Sequence, residues 1–235
     1  MDSAQTNNRF KGRVIYLLIL IAFMQTIYPI TGSGNVIILI AYQLVIAGLV
    51  IAGILLTDTS DWHRRVLVGL GIIWAIAGAI FAVNQAVVWL QLPTYAALIS
   101  FHCFVIWILL RYIFGAREVT RDVLYAASAV YLLIGAVFVS LFGILELITF
   151  TQTGMSAFSD GLVPAGTIFP WQNLIYYSYA TLTTLGYGDV LPVTMWSRSI
   201  ASAEAVIGVL YITIIMARLV GLYAASDVEQ QYQQK

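Results

Sequence analysis

The stretch TLTTLGYGDV, residues 181–190, decides how this chain is read. It is polar and broken by glycine, yet it lies between two strongly apolar runs. Irregular backbone in lipid leaves N–H and C=O groups unpaired at a cost of several kcal/mol each, so it persists only where something replaces water. Gly186 and Gly188 stand two residues apart, and glycine adopts backbone angles closed to other residues. Alternated with Leu185 and Tyr187, they can turn successive carbonyls to one side of an extended strand. A dehydrated cation is a fitting partner for such oxygens.

Upstream, FPWQNLIYYSYATLTT (169–184) reads as a helix. Pro170 suits its first turn, where a missing N–H costs nothing. From Trp171 to about Thr183 is roughly 13 residues, or about 20 Å, too short to cross a bilayer but suited to a half-helix that dips in from outside. Its negative C-terminal end, near Thr183 and Thr184, would aim at the same axis as the carbonyls. Residues 150–168 carry Gly, Ser, Thr, Asp and Pro and read as an exposed outer loop.

The rest of the chain agrees with a membrane setting. Of 235 residues, 61% are hydrophobic and 9% charged, against about 25% charged in soluble domains. Six spans are expected, at about 14–30, 36–57, 66–90, 93–114, 122–149 and 197–225. The first reads as an uncleaved span, because no small-x-small cleavage pattern follows it closely. With the N-terminus inside, Arg9, Lys11, Arg13, Arg64, Arg65, Arg111, Arg117, Arg121, Arg218 and Lys235 all fall on the inner side, and Arg198 falls outside. Both termini are then cytoplasmic, in the cell membrane. A net charge of zero gives no electrostatic case for nucleic acid.

TLTTLGYGD resembles the potassium-channel signature Thr-x-x-Thr-x-Gly-Tyr-Gly-Asp at Thr181, Thr184, Gly186, Tyr187, Gly188 and Asp189. The likeness continues through Pro-Val-Thr-x-Trp-x-Arg at 192–198 and the inner-helix run EAVIGVLYITIIMARLVGLY. The resemblance implies an all-α fold with a re-entrant helix and filter loop between spans five and six. It implies residues 1–121 as a four-helix domain, 122–225 as the channel module and 226–235 as a short cytoplasmic tail. One copy per chain implies a homotetramer in the lipid bilayer, with K⁺ as the transported ion. The carbonyls of Thr184, Leu185, Gly186 and Tyr187, with the Thr184 hydroxyl, would coordinate K⁺, and Gly188 would shape the outer mouth. Asp189 would bond behind the filter, to Tyr176, while Tyr176, Tyr177 and Tyr179 brace the loop. Leu185 replaces the commoner Val or Ile.

Gly208 matches the family's hinge glycine, although close helix contact explains a small residue equally well. Val209, Ile212, Met216 and Val220 share a helical face and are expected to line the inner pore, a lipid- or core-facing stripe being the alternative. Glu204, an acid within a span, is a functional candidate by default. It is expected to bond to the half-helix or to filter support, such as Thr181 or Thr183. Glu146 is expected simply to reach the interface, and Cys103 to be a small buried hydrophobe.

Span four carries one arginine, Arg111, where voltage sensors repeat Arg or Lys every third position. Arg64 and Arg65 are expected in a loop. Voltage sensing is therefore not expected, and the gating stimulus stays open. His102 reads as a hydrogen-bonded core residue, and GLGIIWAIAGAIF as a tight helix contact. No catalytic or metal-spaced pattern stands out, so no enzyme is expected. The alternatives are a less selective monovalent cation channel or, more remotely, a secondary transporter, which should show paired broken helices.

Overall fold

The structure, a computed structural model, describes residues 14–33, 61–83, 87–164 and 166–233, with Asn35, Ile37, Ile38, Ala41, Tyr42, Val45 and Gly48. Apart from those few positions, the span expected at 36–57 lies outside the described residues, as do Arg9, Lys11, Arg13 and Lys235. Six α-helices are described: α1 (Val14–Ile27), α2 (Asp61–Val83), α3 (Gln91–Gly115), α4 (Arg121–Thr153), α5 (Trp171–Leu182) and α6 (Met195–Gln233). Five stretches are long and apolar enough to cross a membrane: Val14–Gly32, Trp62–Phe81, Gln91–Gly115, Arg121–Thr153 and Met195–Ala224. The short helix α5 is not among them.

Helix ends follow local chemistry. Thr120 caps α4, its side chain accepting from Val123 N. Gly154 ends that helix in the left-handed region at φ 69°, with its N–H on Phe150 O. Hydropathy locates a membrane-crossing stretch better than it locates helix ends, and the boundaries differ accordingly. The helix α2 begins at Asp61, so Arg64 and Arg65 sit in its first turns, not in a loop. It ends at Val83, short of the expected 90. The last helix continues to Gln233, through the expected tail.

Two cores hold the described residues together. In the first, α1, α2, α3 and α4 meet around Leu17, Leu67, Phe101, Leu109, Ile113 and Leu133, and Ile215 of α6 joins them. The second gathers Phe142 of α4, Phe158 and Phe169 of the loop between α4 and α5, and Leu174 and Tyr177 of α5. Lipid offers little hydrophobic drive between helices, so close approach matters more. It occurs at Gly135, where a Cβ would meet the Tyr179 ring at 2.6 Å, and at Gly143, which the Tyr95 ring covers. The expected contact in α2 is not general, since Gly69 faces open space.

The loop between α4 and α5 is more ordered than its composition implied. Phe158–Ser159 (β1) and Leu191–Pro192 (β2) pair antiparallel, Phe158 opposite Pro192. Glu146 is buried and does not reach the interface: its carboxylate accepts from Ala157 N and Phe169 N at 2.7 Å each and from Ser156 Oγ at 3.0 Å. An acid at the end of a span thus pins both ends of the loop. Asp160 accepts from Leu162 N and Val163 N, and Asn173 Nδ2 donates to its other oxygen, tying the loop to α5. Cys103 is exposed on α3, not buried. His102 is buried, its Nδ1 2.8 Å from Leu98 O.

Candidate functional site

The short helix α5 is 12 residues long, about 18 Å at 1.5 Å per residue. Pro170 stands at its N-cap in an extended conformation and accepts from Asn173 N at 3.0 Å. One face, Leu174, Ser178 and Leu182 at spacings of four, is buried against α4 and α6. The helix ends at Thr183, where the chain turns back. The N–H of Thr184 donates to Thr181 O at 2.9 Å, and those of Leu185 and Gly186 both reach Ala180 O, at 2.8 and 3.2 Å.

Beyond the turn the backbone alternates. Thr184, Gly186 and Gly188 have φ of 57°, 56° and 80°, with Leu185 and Tyr187 between them outside the left-handed region. Thr184 is the one non-glycine with positive φ among the described residues. For a β-branched residue this is a true outlier, worth about 1–3 kcal/mol of strain. No described residue donates a hydrogen bond to the carbonyls of Thr184, Leu185, Gly186 or Tyr187.

Side chains hold this loop from behind. Tyr176 Oη donates to Asp189 Oδ2 at 2.6 Å, the pair expected from the sequence, and Asp189 Oδ1 accepts from Val190 N. The Tyr176 hydroxyl keeps the Asp189 carboxyl below its usual range. The Tyr176 and Tyr187 rings stack nearly parallel, 7° apart, with centroids at 6.4 Å. Tyr177 points elsewhere, edge-on to Phe142 and Phe158. Tyr179 Oη donates to Leu132 O at 2.6 Å and receives a bond from Gln25 Nε2 of α1.

Glu204 bonds to the short helix as expected, though at Ser178 and not at Thr181 or Thr183. It is fully buried, and Ser178 Oγ lies 2.5 Å from its Oε1. Thr183 is exposed and bonds to Tyr179 O within its own helix. Thr181 lies half-buried beside the turn, where its carbonyl accepts from Thr184 N. Ser178 escaped sequence reading because serine is unremarkable alone. Its spacing of four from Leu174 and Leu182 was the available signal.

The last helix turns Ala201, Glu204, Gly208 and Ile215 inward. A Cβ on Gly208 would lie 2.5 Å from Leu182 O, which also accepts from Tyr131 Oη at 3.1 Å. Gly208 therefore permits the end of α5 to touch α6. Val209, Ile212, Met216 and Val220 are 48% to 61% exposed, so they do not face this chain's own core. Lower down, Arg218 donates to the carbonyls of Ile113, Phe114 and Ala116 at the end of α3. Those carbonyls carry the negative end of the helix dipole.

Residues 123–224 match the family model described as ion channel. The match runs from the start of α4 through α5 and the 183–189 loop into α6. No solved structure matches the chain. The matched segment supports an ion channel that conducts passively, and with the apolar helices it supports a membrane location.

Proposed function

We propose that the protein is a potassium-selective channel of the cell membrane, assembled from four copies around one axis. Each copy contributes the loop Thr184–Gly188, and the carbonyls of Thr184, Leu185, Gly186 and Tyr187, with the Thr184 hydroxyl, stand in for the hydration shell of K⁺. The observation that carries the reading is the alternation of left-handed backbone at 184, 186 and 188. That alternation accompanies a run of carbonyls with no described donor, in a sequence that reads Thr-Leu-Gly-Tyr-Gly. The strain at Thr184 has a use if an ion binds its oxygens.

Other features support the same arrangement. The short helix α5 dips in from the outer side and turns its negative end toward the axis. Exposed apolar residues on α6, Val209, Ile212, Met216 and Val220 among them, line the inner pore and constrict it by dewetting. Gly208 sits where α6 would bend. An even number of spans leaves both termini cytoplasmic. This agrees with the common end occupied by Arg111, Arg117, Arg121 and Arg218, opposite Arg198. Arg111, the one arginine of α3, lies over the Trp107 ring, and a helix with a single such charge supports gating that does not depend on voltage. Reconstituted protein in K⁺-loaded liposomes tests the reading: K⁺ efflux blocked by Ba²⁺ is expected, and its absence from well-folded protein would count against it.

A further inference from the structure

We propose that a cavity between the N-terminal helices and the channel module binds a small lipophilic molecule bearing a hydrogen-bond donor, of the size of a substituted phenol. The cavity measures about 180 Å³ and is bounded by parts of α1, α2, α3, α4 and α5. An apolar protein cavity of roughly 150 Å³ is enough to hold benzene, so one ring with a short substituent fits here. Trp74, Phe81, Leu98, Val139 and Ile175 supply apolar walls.

The polar groups on the lining select the donor. The Tyr179 hydroxyl gives its proton to Leu132 O, so its oxygen accepts from Gln25. This fixes the Gln25 amide, with Nε2 toward Tyr179 and Oε1 away from it. Gln25 Oε1 is buried and finds no partner among the described residues. His102 Nδ1 faces Leu98 O, which can only accept, so the ring proton sits on Nδ1 and Nε2 is left as an acceptor. The hydroxyls run the other way. Thr94, Ser140 and Thr31 each donate to a carbonyl three or four residues back, at Leu90, Ala136 and Tyr28. Gln172 Nε2 donates to Thr31 Oγ1. Gln25 Oε1 and His102 Nε2 thus stand as acceptors while the hydroxyls of Thr94, Ser140 and Thr31 are taken, which favours an occupant that brings a proton. Because Trp171, Gln172 and Ile175 of α5 form one wall, an occupant bears directly on the helix that carries the 183–189 loop.

The test uses full-length protein in liposomes and two probes of matched size, 4-bromophenol and 4-bromotoluene. Bromine quenches indole fluorescence, and Trp74 and Trp171 line the cavity. Saturable quenching by 4-bromophenol is expected, with at least tenfold weaker binding of 4-bromotoluene. Gln25→Met, which keeps the shape and removes one of the two acceptors, should reduce that preference severalfold. Ala136→Leu, which fills the cavity, should remove saturable quenching. Equal affinity for both probes overturns the donor requirement, and linear quenching unchanged by Ala136→Leu overturns the site, since it reports partitioning into lipid. The comparison of probes on the unaltered protein decides the donor requirement even where a variant fails to fold. Fluorescence reads the cavity whether or not the protein conducts, so a failure here is distinct from a failure of the channel reading.

Discussion

Ser178 Oγ lies 2.5 Å from Glu204 Oε1 and 3.0 Å from the carbonyl oxygen of Gly135, so α4, α5 and α6 meet at one hydroxyl. That hydroxyl has a single proton for two acceptors. Glu204 Oε2, also buried, has no partner among the described residues. Glu204→Gln brings an amide that donates to Ser178 and frees the serine proton for Gly135, so it should be tolerated. Glu204→Ala leaves a void while Ser178 keeps Gly135 O as its acceptor, and should destabilise the fold by about 2–3 kcal/mol. Thermal unfolding in detergent, read beside K⁺ over Na⁺ permeability, checks both. If neither variant changes either quantity, Glu204 gives no support to the loop.

The Tyr176–Asp189 bond predicts a pH response. Hydrogen bonding from Tyr176 lowers the folded-state pKa of Asp189. A lowered pKa contributes stability that is present above the ordinary carboxylate value and lost as pH falls through the folded one. Flux should therefore survive mild acid and fail only at a pH below the ordinary carboxylate value of 3.8. Tyr176→Phe should move that acid midpoint upward. An unchanged midpoint, measured by flux against outer pH, would show that the bond does not hold the loop.

Gly208 allows no side chain without movement, because the atom it would strike is backbone, Leu182 O. Overfilling of this kind costs about 1–3 kcal/mol. Gly208→Ala should lower the unfolding temperature and displace the end of α5, with altered selectivity. A variant that unfolds and conducts like the parent would mean that α5 and α6 lie farther apart.

Arg218 joins α6 to the end of α3 through three carbonyls. Arg218→Gln should weaken that join by about 1–2 kcal/mol, given the worth of hydrogen bonds from charged groups and partial exposure. It should also change how often the channel opens, since it frees the lower part of α6 from the N-terminal helices. Single-channel recording gives the open probability, and an unchanged value would remove Arg218 from the path between the two halves.

What the sequence made legible was whatever follows from composition and local spacing. Apolar length marked the spans that the described residues contain, Pro170 marked the start of α5, and two glycines marked the alternating loop. The left-handed conformation of Thr184 was not legible, because nothing in a threonine announces a positive φ. Long-range partners were equally hidden. Glu146 reads as an interfacial acid until the loop amides of Ala157 and Phe169 are brought to it. Glu204 reads as needing a partner, but the sequence does not rank Ser178 against Thr181 and Thr183, and only the direction of the helix face picks the serine.

The central claim concerns the ion that pairs the carbonyls of residues 184–187. Bi-ionic recording from reconstituted protein, with K⁺ on one side of the bilayer and Na⁺ on the other, tests it most directly. The account predicts a reversal potential displaced far toward the K⁺ equilibrium potential, and collapse of that displacement in Gly186→Ala, whose parent glycine holds φ 56°. A reversal potential near zero in the unaltered, well-folded protein would contradict it.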